Sequence, residues 1–334
     1  MHPSTWLKTT PAGLYVEPGG FFIDPTRAVA HALVTHGHGD HARPGNERVL
    51  ATRATLEIMR ARYGERAGGA LQAAGYGERI EIGGVGVEFA PAGHVLGSAQ
   101  IRLTYRGARA VVSGDYKRAA DPTCPPFEPL ACDVFVTEAT FALPVFRHPR
   151  AATEIARLLA SAALFPDRCH LVGVYSLGKC QRVIAEIRAA GYDRPIYLHG
   201  AHEKLCAVYT ALGVELGELR PATEAGADDL RGAIVLYPPF GATDAWLRRM
   251  PDPVMAGASG WYRVKQRAKA AGLELALVIS DHADWGELLA TLADVGAPEV
   301  WVTHGREEAL VHEARKRGFD AKALHLVGFE EEGS

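Results

Sequence analysis

The sequence predicts an α/β protein, and three observations support that fold class. Short apolar runs alternate with amphipathic stretches of helical period along the chain. The 334 residues, 48% hydrophobic and 22% charged, are typical of a globular chain with one large core or two domains. Polar residues also stand at the ends of several predicted strands.

The first part of the chain is mainly a succession of predicted strands. These strands are GLYVE, GFFID, AHALVTH, RIEIGGVGVEFA, AQIRLTYRG, ARAVVSGD and CDVFVTEA. One helix, ATLEIMRARYG, separates the first three strands from the others. The last of these strands ends at Glu138.

After Pro149 the pattern changes to a regular alternation of helix and strand. The segments in order are TEIARLLASAALF, CHLVGVYS, KCQRVIAEIRAAG, PIYLHG and EKLCAVYTALG. This alternation predicts a separate βαβ layer that runs to about Lys269. LELALVISDHADW and PEVWVTHGREEALVHEARKRG then return to strand–loop–helix units. We therefore expect a discontinuous domain of residues 1–145 and 270–334, with residues 146–269 inserted into it.

Charge and cysteine content narrow the class of protein. The net charge of −3 does not indicate nucleic-acid binding by the whole surface, so any phosphate-binding surface must be local. No apolar run reaches the roughly 18 residues of a membrane span, and the N-terminus lacks the pattern of a secretory signal. The five cysteines form no C-x-x-C pair, which is typical of free thiols in a reducing compartment. We expect a cytoplasmic protein without membrane contact.

The segment VTHGHGDHARPG is the strongest functional signal. It places His36, His38, Asp40 and His41 within six residues. The two histidines would alternate along the end of a strand and face one side, and the Asp–His pair would lie on a turn near a helix start. Two adjacent metal ions suit this spacing. Imidazole and carboxylate favour Zn²⁺, with Mn²⁺ or Fe²⁺ as alternatives, whereas a chance cluster of surface histidines would bind no metal.

Three residues further along could complete the two metal sites. His94 lies in PAGHVLGSAQ, Asp115 in VVSGDYKR and His304 in WVTHGREE, each after or at the end of a predicted strand. Taken singly they could be a loop histidine, a turn residue and a helix cap. Taken together they predict one ion held by His36, His38, His94 and Asp115, and a second held by Asp40, His41, Asp115 and His304.

This pattern resembles the metallo-β-lactamase superfamily, in which H-x-H-x-D-H precedes a Gly-flanked histidine, a Gly-Asp and a late strand-end histidine. The resemblance implies an αββα sandwich with two divalent metals at the sheet edge and a metal-held hydroxide as nucleophile. It also implies that Asp24, in GFFIDP, orients the ligand loop, because ligating imidazoles need a partner for their other N–H. The alternative for Asp24 is a turn former before Pro25.

Glu138 and His282 are not needed to complete the metal sites. They are 144 residues apart, with the βαβ stretch between them, and this arrangement resembles the β-CASP branch of metallo-nucleases. The resemblance implies an inserted α/β β-CASP domain. It also implies that His282 is a general acid or stabilises the leaving oxygen, with Glu138 fixing its tautomer and raising its pKa. Asp40 and Asp115 would hold the hydroxide by hydrogen bonds. An ordinary loop histidine is the alternative for His282.

Four phrases resemble the bacterial ligase-associated DNA exonucleases, relatives of the DNA cross-link repair nucleases. They are TEATFALPVFRHP, YSLGKCQR, SGWYRVKQR and SDHADW. The resemblance implies a DNA exonuclease in repair, with DNA ligase or other repair proteins as partners. His304 is typical of RNA-cleaving β-CASP members, so an RNA-processing ribonuclease is an alternative. A small-molecule metallo-hydrolase and a non-catalytic nucleic-acid-binding subunit are further alternatives.

Two segments of the inserted region could contact a nucleic acid. In CHLVGVYSLGKCQR, Ser176, Gly178 and Lys179 open a helix whose free N–H groups could bind an anion. This phrase resembles one from a terminal-phosphate pocket of the cross-link repair nucleases, which favours attack from a 5′ end. An ordinary strand–helix junction is the alternative.

The second segment, WYRVKQRAKAAG, interleaves cations with an aromatic pair that begins at Trp261. The cations are Arg263, Lys265, Arg267 and Lys269, and Arg248 and Arg249 could extend the group. Such a segment could follow a nucleic-acid backbone while its rings stack on bases. The solvated face of a helix is the alternative.

Overall fold

The structure, a computed structural model, describes residues 1–239 and 244–326. The chain divides into two units, of which the first joins Met1–Pro144 to His282–Ser334 and the second is Val145–Asp281. The sequence placed the return to the first unit at residue 270, twelve residues earlier. The strand Leu275–Leu277 accounts for the difference, because it pairs with Ala256–Ala258 in the sheet of the second unit.

The strands and helices have the following bounds. The strands of the first segment are β1 (Leu7–Thr10), β2 (Gly13–Val16), β3 (Phe21–Ile23), β4 (His31–Leu33), β5 (Arg48–Thr52), β6 (Ala70–Ala74), β7 (Arg79–Ile82), β8 (Val85–Pro91), β9 (Ala99–Tyr105), β10 (Ala108–Val112) and β11 (Val134–Ala139). Those that follow are β12 (His170–Gly173), β13 (Ile196–Leu198), β14 (Leu219–Pro221), β15 (Ile234–Tyr237), β16 (Val254–Ala258), β17 (Leu275–Leu277), β18 (Glu299–Gly305) and β19 (Asp320–Ala323). The α-helices are α1 (Arg53–Tyr63), α2 (Ala151–Leu164), α3 (Lys179–Ala189), α4 (Gly200–Ala211), α5 (Ala227–Leu230), α6 (Asp244–Leu247), α7 (Lys265–Ala270), α8 (Trp285–Val295) and α9 (Glu307–Lys316).

The first unit is an αββα sandwich, as the resemblance implied. One sheet has the order β1-β2-β3-β4-β5-β6 and the other β19-β18-β11-β10-β9-β8-β7. A single apolar cluster holds residues of both sheets, such as Leu33 and Val112. The alternate residues point to the outer faces, where Val49 and Ala51 pack with α1, and Val111 and Val300 pack with α8 and α9. This alternation buries both faces of each sheet.

Strand direction brings several strand ends to one edge of the sandwich. In the second sheet β10, β11 and β18 are mutually parallel. β8 runs the same way, because both β8 and β10 are antiparallel to the intervening β9. In the first sheet β3, β4 and β5 are also parallel. Residues that follow these strands are therefore collected at the carboxyl edge of each sheet.

The second unit is an α/β layer built on a parallel sheet. Its strand order is β14-β13-β15-β12-β16-β17, and every neighbouring pair is parallel. Its apolar core includes Leu171, Val235 and Trp246. The alternation of helix and strand read from the sequence after Pro149 thus forms a separate sheet. Among the described residues, no helix is both long enough and apolar enough to cross a membrane.

The histidine-rich segment differs locally from the sequence prediction. β4 ends at Leu33, so His36 and His38 lie in the loop that follows and not on the strand. Asp40 and His41 lie on a turn in which the N–H groups of His41 and Ala42 both donate to the carbonyl of His38. No helix begins there, and the next one starts at Arg53. A turn can fold neighbouring imidazoles toward one point, whereas an extended strand would keep them in line.

Candidate metal centre

The structure brings together the residues that the sequence predicts as metal ligands. His36, His38, Asp40 and His41 come from the loop after β4. His94 follows β8, Asp115 follows β10, and His304 lies near the end of β18. These are carboxyl ends of strands, so the topology of the first unit accounts for their proximity.

Four side chains form the first group of possible ligands, namely His36, His38, His94 and Asp115. Nδ1 of His38 lies 3.1 Å from Nε2 of His36 and 3.0 Å from Nε2 of His94. Oδ2 of Asp115 lies 3.4 Å and 3.8 Å from the same two Nε2 atoms. Nitrogen and oxygen ligands about 2.0–2.1 Å from a tetrahedral zinc ion lie roughly 3.3 Å from one another. The donor types and their separations therefore fit a divalent ion such as Zn²⁺.

A second group shares the carboxylate of Asp115. Nε2 of His41 lies 3.4 Å from Oδ2 of Asp115 and 3.6 Å from Oδ2 of Asp40. The ring of His304 stacks on that of His41, with centroids 5.0 Å apart and planes 28° apart. One oxygen of Asp115 thus lies near nitrogens of His36 and His94 in the first group and of His41 in the second, so this carboxylate could contribute to two metal sites.

Asp24 fixes the orientation of two of these histidines. Its Oδ2 lies 2.8 Å from Nδ1 of His41, so that ring donates from Nδ1 and turns its Nε2 atom toward Asp115. Oδ2 also accepts a 2.6 Å hydrogen bond from the hydroxyl of Thr35, whose oxygen lies 3.0 Å from Nδ1 of His36. Because the hydroxyl hydrogen goes to Asp24, Nδ1 of His36 donates and its Nε2 lone pair also faces the donor cluster. A single buried carboxylate therefore presets both tautomers.

The backbone around this carboxylate tolerates little change. Asp24 and His304 both have positive φ angles, 44° and 55°, which are uncommon for residues other than glycine and recur at functional sites. Gly114, with φ of 56°, lies against Thr35, and a Cβ there would be 2.7 Å from Cβ and Oγ1 of Thr35. A side chain at position 114 would therefore displace the hydroxyl that links Asp24 to His36.

Burial and charge set the protonation of the donors. Burial and the neighbouring His41 lower the pKa of His36 well below its usual value, and they lower the pKa of His304 to about 3. Burial also acts to lower the pKa of His41, but Asp115, Asp40 and Asp24 outweigh it and raise that pKa well above the usual value. Burial acts to raise the pKa of Asp115, yet His41, His282 and His36 hold it well below its usual range. Without a metal, neutral imidazoles at His36 and His304 thus lie beside an ionised Asp115 and a protonated His41, whose proton a bound metal would displace.

His282 and Glu138 form a pair beside this cluster. Nδ1 of His282 lies 3.0 Å and 3.2 Å from the two carboxylate oxygens of Glu138, and 4.0 Å from Oδ2 of Asp115. Glu138 also accepts a 2.8 Å hydrogen bond from the backbone N–H of Tyr116. Its side chain is fully buried, whereas that of His282 is 21% exposed. Glu138 can therefore hold the Nδ1 proton and leave Nε2 of His282 to exchange a proton with a substrate.

A buried lysine that the sequence analysis missed holds the His282 segment in place. Nζ of Lys117 is 2.8 Å from Oε2 of Glu287 and donates to the carbonyl of His282 at 3.2 Å. The N–H of Ala283 donates to the carbonyl of Tyr116 at 2.7 Å. The segment that carries Asp115 is thereby joined to the segment that carries His282. The D-x-x-E capping box of α8, Asp284 with Glu287, is visible in the sequence, but its lysine partner is 170 residues away.

Within the second unit, the three residues predicted to bind phosphate have partners of their own. Oγ of Ser176 lies 2.9 Å from Nδ1 of His202, and the N–H of Gly178 donates to the side chain of Gln181 at 2.8 Å. Lys179 is buried, and its Nζ lies 2.9 Å from Oδ2 of Asp281. A phosphate at this junction would have to compete with these contacts.

Comparisons with known proteins found relatives that cover up to 93% of the chain. No family model matches it. The chain is 28% identical over 319 residues to a probable DNA ligase of Opitutus terrae, covering 93% of this chain and 30% of that protein. It is 28% identical over 392 residues to a ribonuclease of Thermus thermophilus, covering 93% of this chain and 89% of that protein. It is 29% identical over 118 residues to the endoribonuclease YSH1 of Saccharomyces cerevisiae, covering 34% of this chain and 15% of that protein. The chain thus spans less than a third of the length of the first and third of these relatives.

A solved structure shares the fold. A protein of unknown function from Enterococcus faecalis aligns with a TM-score of 0.54 over 84% of this chain and 76% of its own, at 14% identity. At that identity the likeness concerns the fold alone.

The Lys117 contact generates a prediction about catalysis. We expect Lys117→Met to lower kcat by roughly tenfold to a hundredfold with metal content unchanged, because a small displacement of a catalytic group has an effect of that size. Arg118→Met is the matched control, since Arg118 pairs with Asp294 at 2.6 Å on the partly exposed surface. The measurements are steady-state rates and elemental analysis of both variants. Loss of metal from Lys117→Met, or an equal loss of rate in Arg118→Met, would contradict the positioning role.

Proposed function

By sequence and by fold this chain belongs to the β-CASP branch of the metallo-β-lactamase superfamily, and we propose that it is a metal-dependent nuclease. The observation that carries the proposal is the His282–Glu138 pair, in which Nδ1 of His282 lies 4.0 Å from the carboxylate of Asp115, a member of both groups of predicted metal ligands. A donor cluster alone would suit any metallo-hydrolase. An oriented proton donor beside it suits the expulsion of a poor leaving group such as an alkoxide from a phosphodiester.

The chain's residues would divide the work of hydrolysis. Two divalent ions, Zn²⁺ on the donor types with Mn²⁺ as the alternative, would neutralise the phosphodiester charge and lower the pKa of a water molecule toward neutrality. Asp40 and Asp115 present carboxylate oxygens that could orient that water by hydrogen bonds. His282 would give a proton to the leaving oxygen from Nε2, while Glu138 keeps its Nδ1 protonated.

We propose DNA as the substrate and cutting from an end as the mode of action. The similarity to a part of a probable DNA ligase, over 93% of this chain, supports DNA, as does the resemblance of four phrases of the sequence to the ligase-associated exonucleases. Because the chain spans only 30% of the length of that relative, we do not extend ligase activity to this chain. A role in DNA repair in the cytoplasm, beside a DNA ligase or other repair proteins, belongs to the same proposal.

A ribonuclease is the second candidate, and one observation favours it. His304 lies beside the donor cluster with its ring stacked on His41, and relatives along this chain include proteins named as ribonucleases. The other two alternatives have less support. A small-molecule hydrolase would not need the second unit, and a non-catalytic subunit would not need a full set of ligand residues.

One set of assays tests both the role of His282 and the choice of substrate. We expect the wild-type protein with Zn²⁺ or Mn²⁺ to cleave labelled single-stranded DNA in preference to RNA and to leave a chromogenic lactam intact. His282→Ala should lose roughly 10²–10⁴ in rate, the usual contribution of general acid–base help, and keep its metal. His312→Ala, an exposed histidine on α9, is the control. Metal loss in His282→Ala would make this residue a ligand, and faster cleavage of RNA would select the second candidate.

The preference for a phosphorylated 5′ end is tested at Lys179. If this lysine binds a terminal phosphate, Lys179→Ala should remove a preference of roughly tenfold to a hundredfold in kcat/KM for 5′-phosphorylated over 5′-hydroxyl oligonucleotides. Asp281→Asn is the matched variant, because it removes the negative charge that pairs with Lys179 and leaves the cation. It should keep the preference or increase it.

A purely structural ion pair would give a different result. Breaking a buried pair from either side destabilises a protein, often by about 3–5 kcal/mol. If both variants unfold at lower temperature and show the wild-type ratio of rates on the two kinds of end, Lys179 has no part in phosphate binding. Efficient cutting of circular single strands would point to an endonuclease.

A further inference from the structure

The second unit carries a group of exposed cations that the proposed chemistry does not use. We call it the basic surface, and it consists of Arg263, Lys265, Arg267 and Lys269. The first lies at the end of a 3₁₀ turn, Gly260–Arg263, and the other three lie on α7. Ala268 of the same helix is buried. All four charged side chains are exposed to solvent.

The charge of this surface is not neutralised by neighbouring acids. None of the four cations pairs with an acidic side chain within residues 1–239 and 244–326. Residues 254–273 contain no Asp or Glu. The two acids that flank this stretch, Asp252 and Glu274, both contact Arg168, at 3.3 Å and 3.0 Å.

Some of the other exposed arginines pair with nearby acids. Three of them pair with an acid two to four residues away: Arg60 with Glu57, Arg220 with Glu218 and Arg317 with Glu313. On a chain of net charge −3, the basic surface is thus a local concentration of positive charge, which attracts polyanions.

The ring of Trp261 in this segment already contacts two other side chains of the unit. Arg267 places its guanidinium carbon 4.2 Å from the centroid of the Trp261 ring, a cation–π contact. The ring also meets Phe146 edge to face, with centroids 5.1 Å apart and planes at 87°. Stacking on bases needs an open ring face, and here the ring supports an arginine instead. The structure therefore does not favour the base stacking that the sequence suggested for Trp261, and it leaves the cations as the groups that a ligand can reach.

We propose that the basic surface binds the sugar–phosphate backbone of a single nucleic-acid strand without reading its bases. The proposal rests on the proposed function, in which a nucleic acid is the substrate, and it adds a binding surface outside the donor cluster. Lys265 and Lys269 are four residues apart on α7 and share a helix face, with Cβ atoms about 6 Å apart. Such a pair can contact phosphates of one strand. Contacts of this kind depend on charge and are weakened by salt.

The test measures binding and not cleavage. Labelled single-stranded DNA is titrated with the protein in a metal chelator, over about 50–300 mM salt, and the logarithm of the association constant is plotted against that of the salt concentration. The slope counts phosphate contacts at roughly 0.7 each for a single strand. We expect the double variant Lys265→Gln/Lys269→Gln to make the slope shallower by about 1.4. Arg220→Gln, an exposed but paired cation of the same unit, should keep the wild-type slope.

Other outcomes of these measurements would overturn the proposed binding surface. A wild-type slope in the double variant, or an equal change in Arg220→Gln, would overturn the proposal. An oligonucleotide of the same length with abasic sites should bind with an unchanged slope and affinity, and weaker binding would overturn the claim that bases are not read. Because no metal is present, these results stand whether or not the protein hydrolyses nucleic acids. The absence of cleavage with metal would remove the proposed function alone.

Discussion

The buried carboxylate of Asp115 is the interaction on which the rest of the first unit's site depends. One of its oxygens lies within 3.4–4.0 Å of nitrogens from four histidines, His36, His41, His94 and His282. Burying an ionised carboxylate costs several kcal/mol unless opposite charge or hydrogen bonds offset it. The imidazoles supply that compensation, and a metal ion would supply more. The sandwich topology explains why they can, because the residues follow strands that end at the same edge of their sheets.

The contacts around this carboxylate form two layers with different tasks. The inner layer is the set of predicted metal ligands. The outer layer consists of Asp24, Thr35 and Glu138, which determine which ring nitrogen of a neighbouring histidine carries the proton. Asp24 acts on His41 directly and on His36 through Thr35, while Glu138 acts on His282. His41 is the ring whose proton must leave for a metal to enter, because its carboxylate neighbours raise its pKa. Metal uptake at that position should therefore release a proton and weaken as the pH falls.

Much of this arrangement could be predicted from the sequence, because donor residue types stand at the ends of apolar runs. The αββα sandwich and the second α/β layer are confirmed, whereas the binding of metal at the predicted residues stays a prediction. The features that escaped prediction depend on residues distant in the chain. Lys117 meets Glu287 across 170 residues, and the hydroxyl of Thr35 has its place because Gly114 lacks a side chain. The predicted boundary at residue 270 differs from the division of the structure for a similar reason, since LELAL is typical of a strand whichever sheet it joins.

Metal stoichiometry tests whether two ions share the carboxylate of Asp115. The measurement is the ratio of Zn²⁺ or Mn²⁺ to protein after loading and dialysis, for the wild type and two variants. We expect two ions per chain in the wild type, one in His94→Ala, because His94 belongs only to the first group, and none retained in Asp115→Ala. Two ions in Asp115→Ala, or a single ion in the wild type that His94→Ala does not reduce, would contradict this expectation.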